Sequence, residues 1–211
     1  MTRGTIVINP PIGWNDIPST DPEVVKLRRH LEENSGIRGQ EILQPADIER
    51  AVELFRRDGL VVVENVLNSE QIEFLAMGCS EIVNEVISLD SDSKGNRGSH
   101  RYSFGGSSMT RSQLHRPEWQ MLLEVPEVIR LVNAVFGSED YILRAGSGDF
   151  CLPGAVDYQP LHSDVSDWAD NTRSPFSSFF DPRGQMSIRD LPPPYVCVNF
   201  LPQEVTRING A

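Results

Sequence analysis

Helical spacing stops at Gly137, and this one change of period limits the chain to folds with helices first and strands second. At 20–23, T-D-P-E offers a capping box with an early proline, and Val24, Leu27, Arg28 and Leu31 keep helical spacing until Gly36. A second helix is expected from Pro45, with Ile48, Ala51, Val52 and Phe55 on one side and R-R-D-G ending it at Gly59. The next four residues, L-V-V-V at 60–63, are largely β-branched and predict a strand buried on both faces. Asn68 can cap a longer helix with Gln71 at its third position and Ile72, Leu75, Ala76, Cys79, Ile82, Val83 and Val86 along one stripe. After Pro126, E-V-I-R-L-V-N-A-V-F-G reads as a further helix closed by Gly137. Beyond it, residues 141–151, 156–162 and 195–201 read as strands, and 164–194 as a long loop rich in proline, serine and aromatics. The expected class is α+β, with N-terminal helices backing a mainly antiparallel sheet. Residues 1–19, carrying Pro10, Pro11 and Pro18, read as an extended arm, and 20–211 as one domain.

Charge narrows what such a domain binds. Thirty acidic against nineteen basic residues leave a formal charge of -11, which argues against nucleic acid and acidic membranes, since both need clustered cations. A small-molecule partner fits better. One segment reverses the balance: Lys94, Arg97, Arg101, Arg111 and Arg116, with His100 and His115, fall between Ser93 and Pro117 without one acid. The polar, glycine-rich stretch 88–113 therefore reads either as a lid over an anionic ligand or as a solvated loop paired with acidic surface. Cys79, Cys151 and Cys197 are odd in number and set among apolar neighbours, so buried thiols are expected rather than disulfides. No apolar run is long enough to span a bilayer, so the expectation is a soluble protein of the cytoplasm or another reducing compartment.

The chemistry is expected in V-D-Y-Q-P-L-H-S-D-V-S-D-W at 156–168. On a strand, residues two apart share a face, so His162 and Asp164 can grip one metal ion together. Three letters of that kind also occur by chance in solvated loops, and a lone histidine is more often structural. Tyr158 shares their face and either lines a pocket or packs in the core. Asn199 sits in an otherwise apolar strand, where a buried amide must be satisfied by a ligand or by neighbouring backbone, with backbone the stronger reading. A zinc hydrolase is disfavoured by the lack of H-E-x-x-H.

Three blocks, taken in order, carry a resemblance: L-F-R-R-D-G-L-V-V-V-E-N-V-L-N-S-E-Q-I at 54–72, H-S-D at 162–164, and Y-V-C-V-N-F-L-P-Q-E-V-T-R-I-N-G-A at 195–211. Together they resemble the phytanoyl-CoA dioxygenase family, Fe(II)- and 2-oxoglutarate-dependent oxygenases built on a double-stranded β-helix, or jelly roll. The resemblance implies His162 and Asp164 as two of three iron ligands. Three coordination positions then stay open for a bidentate 2-oxo acid and dioxygen. It implies hydroxylation of a small organic substrate as 2-oxoglutarate is decarboxylated to succinate, and the carboxylate of Asp164 argues against halogenation, for which related enzymes vacate that position. Trp168 matches the H-S-D-x-x-x-W spacing of the family's ectoine hydroxylases and is a candidate substrate wall, although the flanking residues differ and ectoine is not implied.

The family's second iron-binding histidine, and a basic residue that pairs with the distal carboxylate of 2-oxoglutarate, lie downstream of the N-G-A block. His30, His100 and His115 all precede His162 and do not occupy that position. About four or five candidate strands are visible where a jelly roll needs about eight. The resemblance thus implies an incomplete jelly roll, expected as the N-terminal fragment of a longer oxygenase. The alternative is a degenerate, non-catalytic member that binds a small molecule. For the 211 residues by themselves, weak or no Fe(II) binding and no turnover are expected.

Overall fold

The computed structural model describes residues 20–34, 39–105, 111–155, 164–167, 178–193 and 195–205. Its helices start and stop where local chemistry dictates. In α1 (Pro22–Asn34) the first turn is held by the side chain of Asp21, which accepts the Glu23 N–H at 2.9 Å, so Asp21 takes the place expected of Thr20. Helix α2 (Ile48–Asp58) ends at Gly59, whose φ of 78° turns its N–H back to the Phe55 carbonyl at 2.8 Å. Helix α3 (Ser69–Ser88) carries the expected capping box: Asn68 Oδ1 accepts the Gln71 N–H and Gln71 Oε1 accepts the Asn68 N–H, both at 2.9 Å. Its buried line is Leu75, Gly78, Ile82 and Val86. Two helices follow, α4 (Pro117–Leu122), absent from the sequence expectation, and α5 (Pro126–Phe136), closed by Gly137 as expected.

The sheet differs from the expectation of a mainly antiparallel array. Strand β1 (Ile42–Leu43) pairs in parallel with β2 (Val62–Val63). Strand β3 (Arg101–Gly105) pairs antiparallel with β4 (Ser147–Cys151) along all five residues, and β5 (Ser166–Asp167) pairs in parallel with β6 (Ser178–Phe179). Among the described residues these are three separate two-stranded pieces, and 195–201 belongs to none of them. The α+β class holds; a closed barrel is not among the described pairings. Burial of β2 on both faces is also corrected: Val62 is 39% exposed and Val61 and Val63 are half-buried, because only one face is covered. There Leu43, Ala51 and Leu54 are buried together with Val61 and Leu131 against them, which joins α2 to α5.

The larger core sits under β3 and β4. Ile82 and Val86 of α3 meet Tyr102 and Phe104 of β3 and Trp119 of α4, with Cys79, Leu122, Phe150 and Leu152 packed around them. Tyr102 stacks on Phe150 at 4.8 Å between ring centroids, and Phe104 meets Trp119 edge-on at 5.8 Å and 83°. Each such pair adds about 0.5–1.5 kcal/mol beyond its buried area. Gly78 lets α4 approach α3: a Cβ there would lie 2.6 Å from Cγ of Glu118, whose carboxylate is held by Arg116 at 3.3 Å. Arg116 also pairs with Glu81 on α3, so two carboxylates share one guanidinium at the crossing. The stretch 88–113, expected as one loop, is instead divided, because R-Y-S-F-G alternates and its aromatics reach this core as β3.

Candidate functional site

Strand alternation gives the β3–β4 ribbon two unlike faces. Tyr102, Phe104 and Phe150 point into the core; Arg101 and Ser103 of β3 lie opposite Cys151 and Asp149 of β4 on the other face. Facing residues of an antiparallel pair share a side of the sheet, so a guanidinium, a hydroxyl, a thiol and a carboxylate are gathered there.

The segment before β3 is built onto that strand, through its backbone and side chains of both faces. Asp90 accepts the Gly95 N–H at 2.8 Å and the Tyr102 hydroxyl at 2.9 Å. These contacts, the Gly95 N–H first, hold the Asp90 carboxyl below its ordinary range. Gly95, at φ 70°, is required because a Cβ would run into the Gly98 carbonyl. The Asn96 side chain imitates a strand: its amide donates to the Ser103 carbonyl and its oxygen accepts the Ser103 N–H, both at 2.8 Å. The N–H groups of Asn96 and Arg97 both reach the Arg101 carbonyl at 3.1 Å. So anchored, Arg97 donates from Nε to the Ser103 hydroxyl at 2.8 Å. This half of the expected lid is a hydrogen-bonded cap on β3; residues 106–110 lie outside the described residues.

Asp149 reports what surrounds this face. Its carboxyl is pushed above the usual carboxylate range, first by partial desolvation although the residue as a whole is exposed; Arg97 and Arg101 pull it down, and the charge of Asp164 adds to the rise. The Cys197 thiol is pushed up as well, first by partial desolvation although the residue as a whole is exposed, and then by Asp164 and Asp149. The structure thus brings Asp164, the expected carboxylate ligand, into one electrostatic neighbourhood with Asp149, Cys197, Arg97 and Arg101. Asp164 is exposed, at a bend just before β5. His162, Tyr158 and Trp168 lie outside the described residues.

Two expectations are corrected here. Asn199 is exposed rather than a buried strand amide, and its side-chain oxygen accepts the Cys197 thiol at 3.7 Å. Cys151 and Cys197 are exposed rather than buried, because Cys151 falls on the polar face of β4 and the 197 segment is not covered by a paired strand among the described residues; Cys79 alone is partly inside. Arg144 lies 5.4 Å from the ring centroid of Tyr195, which ties that segment to the chain entering β4. Sequence reasoning missed Asp149 as a member of this neighbourhood, although the alternation of S-G-D-F-C at 147–151 marks it as facing away from Phe150. Arg97 and Arg101 were flagged only as part of the charge reversal.

Among the described residues, no group of three His, Cys, Asp or Glu side chains is placed to hold a metal ion, and no helix is long and apolar enough to cross a membrane. Compared with models of protein families, with curated proteins and with solved structures, the chain matches none.

Proposed function

We propose that this chain carries two of the three protein ligands of a non-haem Fe(II)- and 2-oxoglutarate-dependent dioxygenase that hydroxylates a small organic substrate, with a jelly roll as its complete core. The observation that carries the reading is the ordered set of three sequence blocks around H-S-D, with Asp164 beside a polar sheet face backed by a packed aromatic core. The donor set fits the ion: an imidazole and a carboxylate two residues apart suit Fe(II), whereas a site built from thiolates would not. When bound, the iron supplies oxidation of the substrate by dioxygen, with 2-oxoglutarate as the co-oxidised partner. The chain's own part is to hold the ion through His162 and Asp164 and to present the Arg101, Ser103 and Asp149 face to whatever lies beside it. The remaining face of the ribbon, buried against α3 and α4, fixes where that polar face stands.

Anaerobic Fe(II) titration followed by measurement of succinate from 2-oxoglutarate tests the reading. It is run on the 211-residue chain and on the chain extended by any continuing reading frame. The expected result is weak binding and no succinate for the former, and tight binding with succinate for the latter, both lost in His162→Ala and Asp164→Ala. An extended chain that binds no iron, or whose iron binding survives both substitutions, overturns it and favours the non-catalytic binding protein.

A further inference from the structure

We infer that Cys151 and Cys197 are a redox-modification site: a small aliphatic disulfide converts their thiols into one internal disulfide, which pins the 195–201 segment to the outer edge of β4. The inference does not rest on the metal-ion reading. Bonded and unbonded pairs alternate along an antiparallel ladder. The Leu152 N–H donates to the His100 carbonyl at 2.9 Å, so Phe150 and Tyr102 form the next bonded pair, and the N–H and C=O groups of Asp149 and Cys151 turn outward. The outer edge of β3 is closed by the Asn96 side chain and by the N–H groups of Asn96 and Arg97. The outer edge of β4 is open: beyond the Ser147 carbonyl, which accepts the Trp119 indole, the Asp149 and Cys151 backbones meet no partner on that side among the described residues.

Y-V-C-V-N-F-L at 195–201 has the composition of a strand but lies in no ladder among the described residues, with Val198 and Leu201 exposed. It is tethered beside β4, because Arg144, just before that strand, lies 5.4 Å from the ring centroid of Tyr195. Cys151 stands two positions along β4 from Asp149 and on the same side, and the charge of Asp149 reaches the Cys197 thiol. Both thiols are exposed and free. A disulfide needs Cα atoms about 4.4–6.8 Å apart. No ladder bond among the described residues has to break for 195–201 to settle to that distance, and the Cys197 thiol gives up one long hydrogen bond, 3.7 Å to Asn199. In the reaction one protein thiolate attacks the disulfide reagent, forming a mixed disulfide and releasing one reagent thiolate; the second attacks the protein sulfur of the mixed disulfide and expels the other. The protons of both cysteines end on the released thiols, so the protein is oxidised by two electrons and the reagent is reduced by two.

The test equilibrates the full chain with 2-hydroxyethyl disulfide and 2-mercaptoethanol, blocks the remaining thiols, and maps the linked peptides by mass. The ratio of internal to mixed disulfide, multiplied by the free monothiol concentration, is the effective concentration of one thiol at the other. The expected product is a Cys151–Cys197 link with Cys79 left as a thiol. Its effective concentration in the native chain should exceed that in the urea-unfolded chain by about tenfold or more, since the fold holds the two segments together beforehand. Arg144→Gln, which removes the tether to Tyr195, should lower the native value by about two- to fivefold, the range of an exposed cation–π contact. Mixed disulfides that never close, a link through Cys79, a linked dimer, or a native value no higher than the unfolded one overturns the inference. So does an Arg144→Gln chain whose effective concentration is undiminished. The measurement uses no iron, so a failure of iron binding leaves its outcome standing.

Discussion

Replacing Gly148 with alanine should destabilise the protein well beyond the usual cost of a methyl group on a strand. Gly148 faces Phe104 across the ribbon, and its Cβ would lie 2.9 Å from both Cε atoms of that ring and closer still to Cζ. The ring has nowhere easy to go. It is 3% exposed, with Trp119 edge-on at 5.8 Å and Phe150 tilted at 6.4 Å. Overpacking of this kind costs about 1–3 kcal/mol, and loss of the Phe104–Trp119 geometry falls within the same range. With a urea m-value of about 2 kcal/mol/M, the unfolding midpoint should fall by about 0.5–1.5 M. The backbone contributes nothing to this cost, since Gly148 does not have a positive φ. Trimming the obstacle should restore part of the loss: in Phe104→Leu with Gly148→Ala, the double variant should lose less than the sum by at least about 0.5 kcal/mol. A Gly148→Ala protein within about 0.5 kcal/mol of wild type, or strict additivity of the pair, refutes the packing argument.

Asn68→Ala removes the side-chain half of the α3 capping box, while the residue-68 N–H can still donate to Gln71 Oε1, and should cost about 1 kcal/mol in urea unfolding, whereas Asn68→Ser should recover most of it. The Asp90 carboxyl, held low by the Gly95 N–H and then the Tyr102 hydroxyl, has a folded pKa below its unfolded one. Its contribution is therefore present above the ordinary aspartate range and is lost as pH falls through the folded value. Asp90→Asn should flatten the acid limb of stability against pH, and an NMR titration that finds Asp90 at or above the ordinary aspartate value sinks the account.

Helix boundaries were legible because the residues that set them act locally. Gly59 and Gly137 supply left-handed backbone, and Asn68 with Gln71 satisfies the exposed N–H groups of α3. Strand β1 was not legible: Ile42 and Leu43 are too few to show a period, and they are a strand only because β2 lies beside them. Helix α4 hid in a polar stretch, although R-P-E-W has proline and glutamate where a first turn favours them. Tyr102 and Phe104 alternate with Arg101, Ser103 and Gly105, and the glycines and serines around them make that alternation read as loop. For the site, charge composition pointed to Arg97 and Arg101, but their meeting with Asp149 and Asp164 depends on contacts far apart in the chain.

The two-faced β4 also makes the chain sensitive to counting. Its side chains alternate, so an insertion or deletion of one residue between Gly146 and Asp149 would turn Phe150 outward and push the Asp149 carboxylate toward Tyr102 and Trp119. A two-residue change would keep every side on its side. Gln113 and Trp119 guard the count, the first by its N–H to the Gly146 carbonyl at 2.9 Å and the second by its indole N–H to the Ser147 carbonyl at 3.2 Å. Insertions and deletions of an odd number of residues are thus opposed in this strand by the same indole that fills the core, and whatever chemistry the polar face performs inherits its spelling from that arrangement.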